Sequence, residues 1–304
     1  MKAALRSGQI DYSSVSDFVE LQDLLDTNPE LVFQVIAPNT TYGPYAWVLN
    51  FRDPLFQDLR VRRALNLALN RRAMIDTVSG GLGSGQHAIG YTWLGRSDPF
   101  NPEELGQWQQ HDPARAQALL AEAGYPNGFE MECVTGGPPS NADVMTQQYL
   151  EQIGVRVVFK ELETVVARTA LVEKTFKHAH SRLSQTGSTG YDPVKLLREW
   201  FLPDSPKSYG SLNDPTMTQL VERATFALDP AEQQRLLQQI HERDLDQCYR
   251  LYRYVAFAVF VRQPWVQNVA SAVQGYFTAY GYHQVTVAWM DDKAPASRAG
   301  RLKA

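Results

Sequence analysis

The 304-residue sequence predicts a mixed α/β fold, and three observations predict it. Short apolar runs rich in β-branched and aromatic residues stand near both ends of the chain. A strand–helix–strand unit occupies residues 129–161. Around it run helical stretches with apolar residues three and four apart and recognisable caps.

Lys2 to Ser7 reads as a helix closed by Gly8, then a short strand at Ile10–Tyr12 and a helix over Val15–Leu25, in which Phe18, Leu21, Leu24 and Leu25 recur at helical spacing. Leu31–Ile36 and Tyr45–Phe51 are strands by length and composition, with Pro38 and Pro44 between them. From Asp58 one long amphipathic helix is expected. Val61, Ala64, Leu65, Ala68, Ile75 and Val78 form its stripe, and Arg60, Arg62, Arg63, Arg71 and Arg72 lie on an opposite, solvated face. Gly80–Gly85 reads as a flexible exit from that helix. It does not follow a strand and lacks the lysine of a phosphate loop. An aromatic loop runs to about Gln110.

Asp112 caps the next helix, with Pro113 in its first position and Gly124 closing it. A strand at Phe129–Val134, a helix at Ala142–Gln152 and a strand at Val155–Glu161 form the βαβ-like unit, in which parallel strands are expected. A helix over Val165–Lys174, a strand near His178–Ser184 and a polar loop at Gln185–Gly190 follow. Helices are expected at Val194–Phe201, Pro215–Ala227 and Pro230–Leu245, the last capped by Asp229 with Glu232 completing a capping box. Arg250–Trp289 returns to strands and turns, and residues 291–304 read as a flexible tail.

Composition narrows the function. With 29 basic and 33 acidic residues the net charge is −4, so no field draws nucleic acid. The most apolar stretch, Tyr254–Val261, is far shorter than the ~20 residues of a spanning helix. The first residues carry no apolar signal core, which read literally places the chain in the cytoplasm. Cys133 and Cys248 read as separate thiols. His178 and His180 alternate on a strand and are expected to share a face, but no third ligand stands at a zinc spacing. No motif assembles a nucleophile, a base and an oxyanion donor, so neither enzyme chemistry, a metal nor a cofactor is expected. What remains is aromatic and polar residues near chain breaks: Trp47, Asn50, Tyr91, Trp93, Arg182, Gln185, Thr189, Tyr191, Asp192 and Trp200. Such residues line clefts that hold small molecules, although Trp47 and Trp200 read equally well as core.

The order of segments also carries a resemblance. ALRSGQIDY, LNFRDPLFQDLRVRRALNLALNRRAMID, HDPARAQALLAEAGYPNGFEMECVTG, YLEQIGVRVVFKELE and GYDPVKLLREWF together resemble the extracytoplasmic solute-binding proteins of peptide/nickel/oligosaccharide ABC transporters, family 5. The stretch Phe51–Asp76 is the most distinctive. The resemblance implies a periplasmic-binding-protein-like fold of type II, two-lobed and closing around a solute. Residues 1–50 and 252–290 would be the remnant of a truncated lobe one and residues 51–251 a nearly complete lobe two. It implies crossings near Asn50–Asp53 and Tyr249–Tyr254, with a proline-bearing hinge at Pro54. It also implies export, a monomer that delivers its solute to a membrane permease, and no covalent chemistry. A cytoplasmic ligand-sensor domain of a transcriptional regulator, or a fragment without function, are the alternatives.

Peptide-binding members hold the peptide's amino terminus with an aspartate three residues before the x-Pro step, here Asp192–Pro193. Thr189 stands at that position, so a neutral polyol, an oligosaccharide or an otherwise capped solute is implied. A one-residue slip would let Asp192 serve instead.

Overall fold

The structure, a computed structural model, describes residues 2–15, 18–36, 46–85, 87–181, 193–267 and 289–290. The chain opens with α1 (Lys2–Arg6), β1 (Tyr12–Val15), α2 (Phe18–Thr27) and β2 (Val32–Ile36). Gly8 ends the first helix in the left-handed region, at φ +66°. The first strand and second helix each start later than their sequence patterns suggest. Tyr12–Val15 is drawn into pairing with a strand some 250 residues downstream, and tertiary pairing overrides local preference.

β3 (Trp47–Leu49) is followed by a 3-10 turn, Pro54–Phe56, capped by Asp53 and burying Leu55 and Phe56. The single long helix expected from Asp58 is two helices, α3 (Leu59–Ala68) and α4 (Arg71–Ser79). Leu69 is extended, and Asn70 restarts the helix by accepting from Ala73 N at 2.9 Å. Three of the carbonyls at the end of α3 find donors from other segments or side chains. Asn66 O takes Arg71 Nη1 at 2.9 Å, Leu67 O takes Asp112 N at 2.9 Å, and His111 Nδ1 lies 3.0 Å from Ala68 O. The solvated arginine face is therefore a correction. Arg62 and Arg71 are buried, at 5% and 2% exposure, and donate to backbone carbonyls, whereas Arg60, Arg63 and Arg72 pair with Asp58, Asp246 and Glu103.

The glycine run is corrected as well. Gly80 caps α4 at φ +55°, but Gly83–Gly85 is a strand, β4, and a side chain at Gly83 would press on Val255 O at 2.9 Å. Next come α5 (Pro113–Glu122), β5 (Phe129–Gly136), α6 (Asn141–Glu151), β6 (Val155–Leu162), α7 (Thr164–Val172) and β7 (Ala179–Ser181). β5 and β6 pair in parallel through eight registered positions, as the βαβ pattern requires. The helices α8 (Pro193–Phe201), α9 (Pro215–Phe226) and α10 (Pro230–Gln247) follow. Asp229 caps the last by accepting from Ala231 N, but Glu232 makes no capping box there and pairs with Arg223 and Arg235 instead. The chain returns through β8 (Arg250–Leu251), β9 (Tyr254–Ala256) and β10 (Ala258–Arg262), and β11 (Val266–Gln267) pairs with β12 (Trp289–Met290).

Two sheets organise these elements. The larger has the order β6-β5-β7-β3-β8, and the smaller, β1-β10-β2, joins both ends of the chain. β3 thus lies inside the larger sheet rather than with the terminal segments. Leu65, Leu67, Met131, Cys133 and Val155 fill one face of the larger sheet beneath α3, α5 and α6, and Val48, Val134, Ala167 and Leu171 fill the other beneath α7. α8, α9 and α10 enclose a third core around Trp200, Met217 and Ile240, and Leu24, Val259 and Val261 pack the small sheet. Cys133 and Cys248 are buried free thiols.

The two strand histidines are held apart. His178 Nδ1 accepts from Glu132 N at 2.9 Å, while His180 Nε2 lies 2.9 Å from Ala167 O. A different pair does meet: the His241 ring stacks on Phe100 at 5.1 Å and meets the His87 ring edge-on at 5.2 Å. Burial, reinforced by Arg96, drives the His241 imidazole down to about 4, and burial with the neighbouring His241 takes His87 well below its ordinary value. A folded-state pKa below the unfolded 6.5 means that the unfolded chain binds the proton first. Stability from neutral His241 is therefore full above pH 6.5 and is lost as the pH falls towards 4. Asp244, raised to about 6 by burial, works in the opposite sense, so the check is a difference. Urea titrations at pH 7, 5.5 and 4.5 are expected to show the native chain losing up to about 3 kcal/mol relative to His241→Phe over that range.

Candidate functional site

In open α/β sheets the place to look is the carboxyl edge of the parallel strands, where loops diverge and leave a crevice. β7 and β6 run parallel to β5, and β8 shares their direction because β3 is antiparallel to both β7 and β8. The carboxyl ends of β5, β6, β7 and β8 therefore meet at one edge together with the amino end of β3.

A single carboxylate organises that edge. Ser140 and Asp143 form a capping box at the start of α6: Asp143 N donates to Ser140 Oγ, and Ser140 N donates to Asp143 Oδ2 at 3.0 Å. The Ser140 hydroxyl donates to the same Oδ2 at 2.6 Å. Asp143 Oδ1 accepts from Trp47 Nε1 at 2.8 Å, Ser181 Oγ at 2.6 Å and Arg253 Nη1 at 2.8 Å. Asp143 and Arg253 are 5% and 3% exposed. Burial pushes the Asp143 carboxyl upwards, but Arg253 and the donors Ser140, Ser181 and Trp47 outweigh it and hold the group below the ordinary carboxylate range. With five donors on about four lone-pair positions, this carboxylate has no capacity left to act as a general base. Near the carboxyl end of β5, Thr135 is 3% exposed, and its hydroxyl has no hydrogen-bond partner among the described residues.

The residues singled out from sequence distribute unevenly. Trp47 is at the edge, but its ring is fully buried, 6.0 Å from Phe159, and its one polar atom is engaged by Asp143. Asn50 is buried just beyond the opposite end of β3, with its side chain engaged by backbone groups. Its amide donates to Phe176 O at 2.8 Å and Lys177 O at 3.0 Å, and its oxygen accepts from Arg52 N. The stretch that follows is tied back by its backbone: Phe51 N donates to Gly210 O at 2.8 Å and Asp53 N to Asn50 O at 3.0 Å. Trp93 is 38% exposed, on a turn that packs with Tyr91 and Leu94 against the α8–α10 core. Trp200 is buried in that core beneath the Arg250 guanidinium, which stands 4.5 Å from its ring centroid. Arg182, Gln185, Thr189, Tyr191 and Asp192 lie outside the described residues.

Asp143, Ser140, Ser181 and Arg253 were not singled out from the sequence. Two signals were available. Ser140-x-x-Asp143 has the spacing of a capping box, and Arg253 interrupts the apolar and aromatic run Leu251-Tyr252-Arg253-Tyr254, where a charge needs a buried partner.

The family model of bacterial extracellular solute-binding proteins, family 5 Middle, matches residues 1–208. The glutathione-binding protein GsiB of Pectobacterium atrosepticum is 26% identical over 259 residues, 79% of this chain and 47% of that protein. The chain thus spans about half the length of the curated relatives it matches. Among solved structures, the periplasmic binding protein DppA of Helicobacter pylori, in complex with the peptide STSA, superposes with a TM-score of 0.76 at 19% identity, over 95% of this chain and 54% of that one. HbpA2 of Haemophilus parasuis gives 0.73 at 24% identity, over 95% and 55%. These likenesses establish a periplasmic binding-protein fold, of which this chain spans about half.

Removing one member of a buried ion pair strands the other. Arg253→Met is expected to lower the stability of the chain by about 3–5 kcal/mol in urea unfolding, and adding Asp143→Leu to recover a substantial part of that loss.

Proposed function

As the chain belongs to the bacterial extracellular solute-binding proteins of family 5, we propose that it supplies part of the substrate-binding component of an ABC importer. It captures a small solute between two lobes and hands it to a membrane permease. The family match over residues 1–208 is the observation that carries this reading. In it, the five-stranded sheet with α3 to α10 forms one lobe. The sheet β1-β10-β2 belongs to the other, and the chain crosses between them ahead of Trp47 and beyond Arg253. The solute lies against the carboxyl edge of the larger sheet and is held by contacts rather than transformed, in keeping with the saturated Asp143. Among the described residues no helix is long and apolar enough to cross a membrane.

The relatives point to peptide-like solutes, since one is a glutathione-binding protein and another was solved with the peptide STSA. Thr189 narrows the class. A hydroxyl offers an ammonium a neutral acceptor where a carboxylate offers a charge-assisted one of roughly twice the strength. The reading is therefore a solute without a free amino terminus, such as a capped peptide or a neutral oligosaccharide.

Calorimetric titration with STSA and its N-acetyl form tests this. The acetylated peptide is expected to bind at least as tightly as the free one. Thr189→Asp is expected to tighten the free peptide about ten-fold, ~1.4 kcal/mol, and to leave the acetylated one unchanged. Tight binding of free STSA that acetylation abolishes in the native chain overturns the solute class. Failure of peptides, glutathione and oligosaccharides alike to bind overturns the importer reading.

A further inference from the structure

The two routes between the sheets have little backbone to hold them. β3 contributes three residues and β8 two to the larger sheet, paired as Trp47 with Leu251 and Val48 with Arg250. Beyond β8, Tyr252 and Arg253 lead directly into β9. Ladders this short leave the ends of a strand free to fray unless side chains hold them.

Side chains do hold them, and they converge. Trp47, the first residue of β3, and Arg253, the last before β9, both donate to Asp143 Oδ1. Ser181, the last residue of β7, donates to the same oxygen, and Ser140 fixes the other from within the cap of α6. Trp47 is fully buried and Arg253 nearly so, which leaves no water to take over a broken bond. The rest of the second route is pinned in the same direction. Asn66 Nδ2 donates to Arg250 O at 3.1 Å, Arg71 Nε donates to Tyr252 O at 3.0 Å, and the Tyr252 hydroxyl donates to Asp244 at 2.7 Å.

We propose that Asp143 is a positioning residue for solute capture: one carboxylate clamps both interlobe crossings to the carboxyl edge of the sheet and so sets where the lobes pivot. This rests on the two-lobe reading above. Up to Trp47 on one route and Arg253 on the other, the crossings belong rigidly to the larger lobe. The two crossings are thereby coupled, because they share an acceptor atom.

Hydrogen exchange measured by mass spectrometry on the full chain tests the clamp without any solute, so its outcome is separate from that of the peptide titrations. Asp143→Asn keeps the shape and removes the charge. It is expected to speed exchange at least ten-fold in peptides covering 46–50 and 250–254, while 215–247 and the β1-β10-β2 sheet stay unchanged. A rise confined to 141–144 overturns the proposal, and so does a uniform rise over the whole chain, which is the mark of a residue that merely stabilises. Trp47→Phe removes a single donor, keeps the ion pair and guards against a variant that does not fold. It is expected to loosen 250–254 together with 46–50, and loosening of 46–50 alone overturns the shared clamp.

Discussion

Arg253 carries a full positive charge to a place almost without water, and the architecture around both crossings is arranged to make that tolerable. Taking a guanidinium and a carboxylate out of water costs several kcal/mol per ion, which a bare ion pair rarely recovers. Here Asp143 is also met by Trp47, Ser181 and both donors of Ser140, so its acceptor capacity is filled and its charge is stabilised from several sides. Charge-assisted bonds are directional, whereas apolar contact is not. A greasy substitute could hold the same elements together, but it would not prescribe which atom of each chain segment lies where.

The same means recurs through the larger lobe. Arg62, Asn66 and Arg71, three residues of α3 and α4, donate to backbone carbonyls of distant segments: Gln247 O, Arg250 O and Tyr252 O. Strands of two or three residues cannot satisfy their own polar groups by laddering, and helix ends leave carbonyls open. Long side chains from neighbouring helices fill both needs. The stretch 247–253 is in effect threaded along the α3–α4 surface by side-chain donors. This is why the break between those helices matters to the fold: it brings Arg71 to Tyr252 while letting Asp112 and His111 serve the end of α3.

Several elements were legible beforehand for local reasons. Asp112-Pro113 and Asp229-Pro230 open helices because an acceptor and a preset φ act within one turn, and the β5–α6–β6 unit shows in its alternation of periods. The order of blocks from ALRSGQIDY to GYDPVKLLREWF resembled family 5, and the family match over residues 1–208 agrees. Where the reading failed, a competing principle won. The apolar stripe resumes in phase at Ile75 after Ala68, so Asn70 does not stand out as a cap in the sequence. Gly83–Gly85 reads as flexible until β9 lies against it, since glycine is what lets the two backbones approach. Asn50 reads as a cleft amide beside an aromatic strand, and only the fold shows that amide held by Phe176 O.

The sequence by itself determined the α/β class, most of the helices with their caps, the parallel pair and the family. All of these are encoded in periods, neighbouring residues and block order. Only the tertiary structure decided that Trp47, Ser181 and Arg253 share one acceptor, and that two of five arginines point inward. Trp47 and Arg253 stand 96 and 110 residues from Asp143 along the chain. At such separations no local pattern records a contact. It exists only once the sheet has fixed β3, β7 and β8 side by side and exclusion of water has made every unpaired charge costly.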